Sequence, residues 1–143
     1  MSTILIADDD PLAAAIFGGA FKRAGHSVYV VNDGIDVLPA LKVYPIDCLV
    51  LDCLMPGVTG IEVLRRLRAK DRYCLLPIIM LTARSAPNDR HVADNSRVDL
   101  YCTKNSDPDW VVFQAEDLIA NKVTCAPVVS DPWNRATGPV RSV

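Results

Sequence analysis

Three consecutive carboxylates, Asp8-Asp9-Asp10, close the short apolar run Ile4-Leu5-Ile6-Ala7, and Asp52, Thr82 and Lys104 each stand at the end of a later apolar run. Carboxylates crowded together repel one another, a cost that is tolerable where a hard cation neutralises them. Mg²⁺ is such a cation, taking one or two carboxylates, a carbonyl, waters and phosphate oxygens in octahedral geometry. An ammonium and a hydroxyl add donors suited to phosphoryl oxygens. The set reads as a metal-assisted phosphate-handling site. Helix capping is the simpler use of the acids, because Asp is favoured before a helix and Pro11 fits its first position. One cap needs one Asp, and two remain.

These side chains must be held by elements that the hydrophobic pattern places. Five apolar, strand-like runs stand out, Thr3 to Ala7, Ser27 to Val31, Cys48 to Leu51, Ile78 to Leu81 and Leu100 to Cys102, separated by stretches long enough for helices. Repeated β-α units imply a parallel sheet. Leu12 to Ala24 has helical spacing with Gly25 as its stop, and close packing is expected to explain Gly18-Gly19. Ile35 to Tyr44 is a second helix, distorted by Pro39. Ile61 to Lys70 is amphipathic, with Ile61, Val63, Leu64 and Leu67 on the apolar side and arginines over the rest. Ser85 to Val98 is the place for a fourth helix, but it is so polar that the helix is expected to be short, frayed or absent. A fifth starts at Asp107-Pro108 and runs to about Asn121. The domain is thus expected over 1–122. Residues 123–143 contain Pro127, Pro132 and Pro139 without helical periodicity and read as an extended or disordered tail.

Composition narrows the function classes. A chain of 143 residues, 50% hydrophobic and 22% charged, suits one soluble domain, and a stand-alone chain with no second output domain is expected. The net charge of −2 provides no basic field for nucleic acid or an anionic membrane. Leu12 to Phe21 is too short to span a bilayer, and the acids at 8–10 lie too near the start for a signal peptide, so a cytoplasmic location is expected. Cys48, Cys53, Cys74, Cys102 and Cys125 show no C-x-x-C spacing and read as free, mostly buried thiols. His26 and His91 lack metal-site spacing, and the cluster Arg65, Arg66, Arg68, Lys70 and Arg72 reads as a solvated helix face.

In open parallel α/β sheets, ligands gather beyond the carboxyl ends of the strands. The residues at those ends are Asp8 and Asp9, Asp52 followed by Met55-Pro56-Gly57 and Gly60, Thr82-Ala83, and Tyr101 three residues before Lys104. The intervals are 43 (9 to 52), 30 (52 to 82) and 22 (82 to 104). In these features the chain resembles the receiver domain of two-component response regulators, from Ser2 to about Asn121. The resemblance implies a doubly wound, flavodoxin-like five-stranded parallel sheet of order 2-1-3-4-5. It implies Asp52 as acceptor of a phosphoryl group from a histidine kinase or phosphotransfer protein. It further implies Mg²⁺ (or Mn²⁺) held by Asp9, Asp52 and the Leu54 carbonyl, with Asp8 acting mainly through a metal water. Lys104 and Thr82 would bind phosphoryl oxygens, and Thr82 and Tyr101 would form a switch that alters a protein-binding face. Leu54 and Arg84 fall where the family tunes acyl-phosphate lifetime. The implied output is a protein effector, from a monomer or a phosphorylation-dependent dimer.

The chain departs from the family at Asn105, where Pro with a cis bond is usual, since a cis bond before Asn costs about 2.5–4 kcal/mol. That departure and the polar fourth helix motivate one alternative, a degenerate receiver acting as an unphosphorylated interaction module. Another is a small phosphatase resembling haloacid-dehalogenase enzymes, with Asp8 as nucleophile and Asp10 as acid/base. Leu12 does not fit that motif, and no second acidic motif follows Lys104.

Overall fold

The computed structural model describes residues 1–83 and 98–121. The elements in chain order are β1 (Thr3–Ala7), α1 (Pro11–Arg23), β2 (Ser27–Val31), a 3₁₀ turn (Gly34–Asp36), α2 (Val37–Val43), β3 (Cys48–Asp52), α3 (Gly60–Arg68), β4 (Ile78–Thr82), β5 (Leu100–Thr103) and α4 (Pro108–Ala120). All strands are parallel, in the order β2-β1-β3-β4-β5. The chain therefore reverses direction across the sheet between β1 and β3; Asp8 follows the one and Asp52 ends the other.

Alternation along each strand splits the core into two layers, as period-2 geometry requires. Leu5, Leu49, Leu51, Ile78 and Met80 point to one face and pack with Val37 and Leu41 of α2 and Val63, Leu64 and Leu67 of α3. Ile4, Ile6, Val50, Ile79 and Leu81 point to the other and meet Phe17 and Phe21 of α1 and Val111, Val112 and Ala115 of α4. β3 and β4 are buried along their whole length, which explains why they read as continuous apolar runs rather than alternating ones.

The five strands fall where the sequence placed them, with β3, β4 and β5 each one residue longer. Asp10 caps α1, its side chain accepting from the Leu12 N–H at 3.0 Å, with Pro11 at the first position. Gly25 takes a φ of 96° just beyond the helix end, a conformation that favours glycine. Close packing does not explain Gly18, however, since a Cβ there would meet Val28 and Ile6 at ordinary contact distances of 3.6 and 3.7 Å.

Two other expectations need correction. The helix read as Ile35 to Tyr44 is a 3₁₀ turn followed by α2, so Pro39 is the third residue of its helix. An N–H there has no intrahelical acceptor to lose, and no break results. Arg68 is not on a solvated face: it is buried, its guanidinium donating to the carbonyls of Tyr73 (3.2 Å), Cys74 (3.2 Å) and Leu76 (2.7 Å) and to Asp99 (2.9 Å). Asp99 also accepts from the Ile78 N–H at 2.8 Å, so this cluster ties α3 to the starts of β4 and β5. Cys48, Cys53 and Cys102 are buried, as expected, and none of the three is in a disulfide. The helix expected in Ser85 to Val98, Arg84 and the tail from 123 lie outside the described residues, save Val98. Among the described residues, no helix is long and apolar enough to cross a membrane.

Candidate functional site

The parallel sheet delivers the carboxyl ends of β1, β3, β4 and β5 to one edge. Asp8 follows β1 directly and is buried, while Asp9 is exposed. Asp10 turns away into the α1 cap. Asp52 is the last residue of β3 and is 5% exposed. One carboxylate oxygen from each of Asp8, Asp9 and Asp52 lies within 4.8 Å of the others. Of the four sequence-predicted acids at this edge, three converge and the fourth serves the helix.

Backbone contacts fix these side chains. The Asp8 N–H donates to the Val31 carbonyl at 3.0 Å, and the Asp10 N–H donates to Asp8 Oδ1 at 2.9 Å. The Cys53 N–H donates to the Leu81 carbonyl at 3.0 Å, holding the end of β3 against β4, and the Leu54 N–H approaches Asp52 Oδ1 at 3.4 Å. Gly60 sits against the Asp52 backbone so closely that a Cβ there would overlap the Asp52 carbonyl oxygen.

The cation arrives from β5. Lys104 Nζ donates to Asp8 Oδ1 at 3.0 Å and stands 3.4 Å from Asp52 Oδ2. Its backbone N–H donates to the Thr82 carbonyl at 2.7 Å, fixing the register between β5 and β4. No described peptide bond is cis, so the Lys104-Asn105 bond is trans and the ammonium still reaches both acids. Thr82 ends β4 and is buried, and Tyr101, in register with Met80, is packed inward among the core residues.

Electrostatics follow from this crowding. Burial and the neighbouring Asp8 carboxylate push the Asp52 carboxyl up to about 7, with Lys104 acting against them. Burial alone would lower the Lys104 ammonium, but its hydrogen bond to Asp8 and the charges of Asp52 and Asp8 outweigh it and hold it above its ordinary value. Three carboxylates around one ammonium leave net negative charge. The donors are all hard oxygens and two of the three acids are buried, which fits an oxygen-seeking divalent cation such as Mg²⁺ better than a soft metal.

Gly34, Val58 and Gly60 help shape the site, and the sequence signals for them were thin. The Asp33-Gly34 pair is an ordinary turn signal, and Gly60 stood in the motif after Asp52 without a stated task.

Comparison with known proteins agrees with the fold. The family model for the response regulator receiver domain matches residues 4–115. The chain belongs to that family. Among relatives, the transcriptional regulatory protein TcrA of Mycobacterium tuberculosis is 38% identical over 101 residues, covering 71% of this chain and 39% of TcrA. AfsQ1 of Streptomyces coelicolor, also a transcriptional regulatory protein, is 41% identical over 103 residues, covering 72% of this chain and 44% of AfsQ1. The chain thus spans well under half the length of these relatives. The receiver domain of the Francisella response regulator 1452 superimposes with a TM-score of 0.76 at 28% identity, covering 84% of this chain and 98% of that one. CheY4 of Vibrio cholerae shares the fold, with a TM-score of 0.75 at 23% identity over 82% of this chain and 98% of that one.

Proposed function

We infer that Asp52 is the phosphoryl acceptor of this receiver domain. The observation that carries the reading is the meeting of Asp8, Asp9, Asp52 and Lys104 at one sheet edge, with Lys104 Nζ within 3.4 Å of an Asp52 oxygen. Asp8, Asp9, Asp52 and the Leu54 carbonyl are the residues that would hold Mg²⁺. When bound, the ion supplies positive charge that keeps Asp52 ionised and offsets charge on a transferring phosphoryl group.

The chain's own residues divide the remaining work. In its ionised form an Asp52 carboxylate oxygen attacks phosphorus in line. The bond from phosphorus to the donor's histidine nitrogen breaks, its electron pair returns to the imidazole, and an acyl phosphate forms. Lys104, already directed at Asp52, follows the charge onto the phosphoryl oxygens. The Thr82 hydroxyl donates to another of those oxygens, and the rearrangement reaches Tyr101 through β4 and β5. The proposed output is a changed protein-binding face made by β4, β5 and α4, read by a protein effector. A histidine kinase or phosphotransfer protein is the proposed donor.

Intact mass after incubation with Mg²⁺ and acetyl phosphate tests the assignment. A single phosphoryl adduct is expected, abolished by EDTA and by Asp52→Asn. An adduct that survives Asp52→Asn and disappears in Asp8→Asn would overturn it.

A further inference from the structure

The loop after Asp52, residues 53–59, carries the backbone on which a Leu54 ligand depends, yet Leu54 is 62% exposed and Gly57 takes a φ of 75°. Such a loop needs external restraint. Its far end is held by the Gly60 N–H, which donates to the Cys53 carbonyl at 3.0 Å. Its outer side is closed by the turn after β2. Gly34 is buried there, and a Cβ on it would overlap the Val58 carbonyl oxygen and come within 3.2 Å of Val58 Cβ. Beside it, Asp33 Oδ1 accepts from the Ile35 N–H at 3.2 Å and lies 3.4 Å from where a Cβ on Gly57 would be.

We propose that Gly34 is a positioning residue for the cation: its bare Cα lets the Asp33-Gly34 turn clamp Val58 and so fixes the loop bearing Leu54 against Asp8, Asp9 and Asp52. The proposal rests on the phosphoacceptor reading above. The three atoms nearest to a Cβ on Gly34 all belong to Val58, so its effect passes through the loop. The atom that an added methyl would meet is backbone, which cannot rotate aside as a side chain does, and the Val58 peptide has to move. Because residue 60 is pinned to Asp52 and Cys53, that movement falls on 54–58. Positive φ occurs at Gly25 and Gly57 and not at Gly34, so a substitution at Gly34 tests crowding rather than backbone strain.

The test is Mg²⁺ affinity of the full chain by titration calorimetry, with thermal unfolding measured alongside. Gly34→Ala is expected to weaken Mg²⁺ binding about tenfold or more, as supporting residues around metal sites do. Gly25→Ala, strained but with nothing within 4 Å of the new methyl and remote from the acids, is expected to lower the melting temperature and leave affinity unchanged. If Gly34→Ala does not fold, Asp33→Ala against Asp33→Asn replaces it: both remove the same charge, but Asn keeps the turn-capping oxygen, and Ala is expected to bind Mg²⁺ at least threefold more weakly. Wild-type affinity in Gly34→Ala, or equal affinities for the Asp33 pair, would overturn the clamp alone. Absence of Mg²⁺ binding by the wild-type chain would overturn the phosphoacceptor reading and the clamp with it.

Discussion

Lys104 Nζ lies 3.0 Å from Asp8 Oδ1 although the two residues are 96 positions apart in the chain. The contact joins the ends of β1 and β5 across β3 and β4, and it leaves the ammonium 3.4 Å from Asp52. A single side chain thereby neutralises part of a buried acidic pair.

Removing that charge leaves Asp8 and Asp52 facing each other in a buried setting. Lys104→Ala is expected to destabilise the metal-free chain at pH 7 by about 1–3 kcal/mol, since an uncompensated buried charge costs more than the lost pair contributes. Urea unfolding with and without Mg²⁺ checks this: the ion should recover more stability in Lys104→Ala than in the wild type.

The raised carboxyl of Asp52 gives stability a definite pH dependence. Its value rises from 3.8 to about 7 on folding, so between those limits the folded chain holds a proton that the unfolded chain has released. The penalty from this group is therefore absent below pH 3.8, grows as pH rises and is complete above about 7. Asp52→Asn is expected to be more stable than the metal-free wild type at pH 8 by about 1–3 kcal/mol, with the difference shrinking towards pH 4. Melting temperatures of the two chains over that range measure it.

Asp9 is the exposed member of the acidic set. Asp9→Asn should shift the stability of the metal-free chain by no more than about 0.5 kcal/mol. If the site binds Mg²⁺ as proposed, the ion at a hundred times its dissociation constant should stabilise the wild type by about 2.7 kcal/mol, and most of that gain should vanish in Asp9→Asn. Thermal unfolding across an Mg²⁺ titration reads both effects.

Arg68 is important to the opposite end of the sheet. Arg68→Ala leaves three carbonyls and the Asp99 carboxylate without their shared donor, and a loss of about 2–4 kcal/mol is expected. Mg²⁺ affinity at the remote acidic edge should stay at the wild-type value, which calorimetry on the folded variant would establish.

β1, β3 and β4 were legible because each is a nearly continuous apolar run with a polar residue at or just beyond its end, the pattern that burial on both faces produces, whereas the edge strand β2, exposed at Ser27, Tyr29 and Val30, was legible through its β-branched and aromatic residues. Asp10 was legible as a cap through Pro11, which freed Asp8 and Asp9 for the site. The start of α2 was not, because Ile35 continues the apolar spacing yet is 64% exposed and belongs to the preceding turn. Arg68 shares its helix with exposed Arg65 and Arg66, and only the chain that returns at Asp99 shows why one arginine is buried. Gly34 was hidden for the same reason, since its partner Val58 is distant in sequence and contributes a backbone atom that no residue type reveals.

The central claim is that phosphate is carried by Asp52. Borohydride reduction of the phosphorylated chain, followed by peptide mass analysis, converts an aspartyl phosphate to homoserine and marks its position. The expected result is homoserine at position 52 with positions 8, 9 and 10 unchanged; homoserine at position 8, or no converted residue in a chain bearing the adduct, would contradict it.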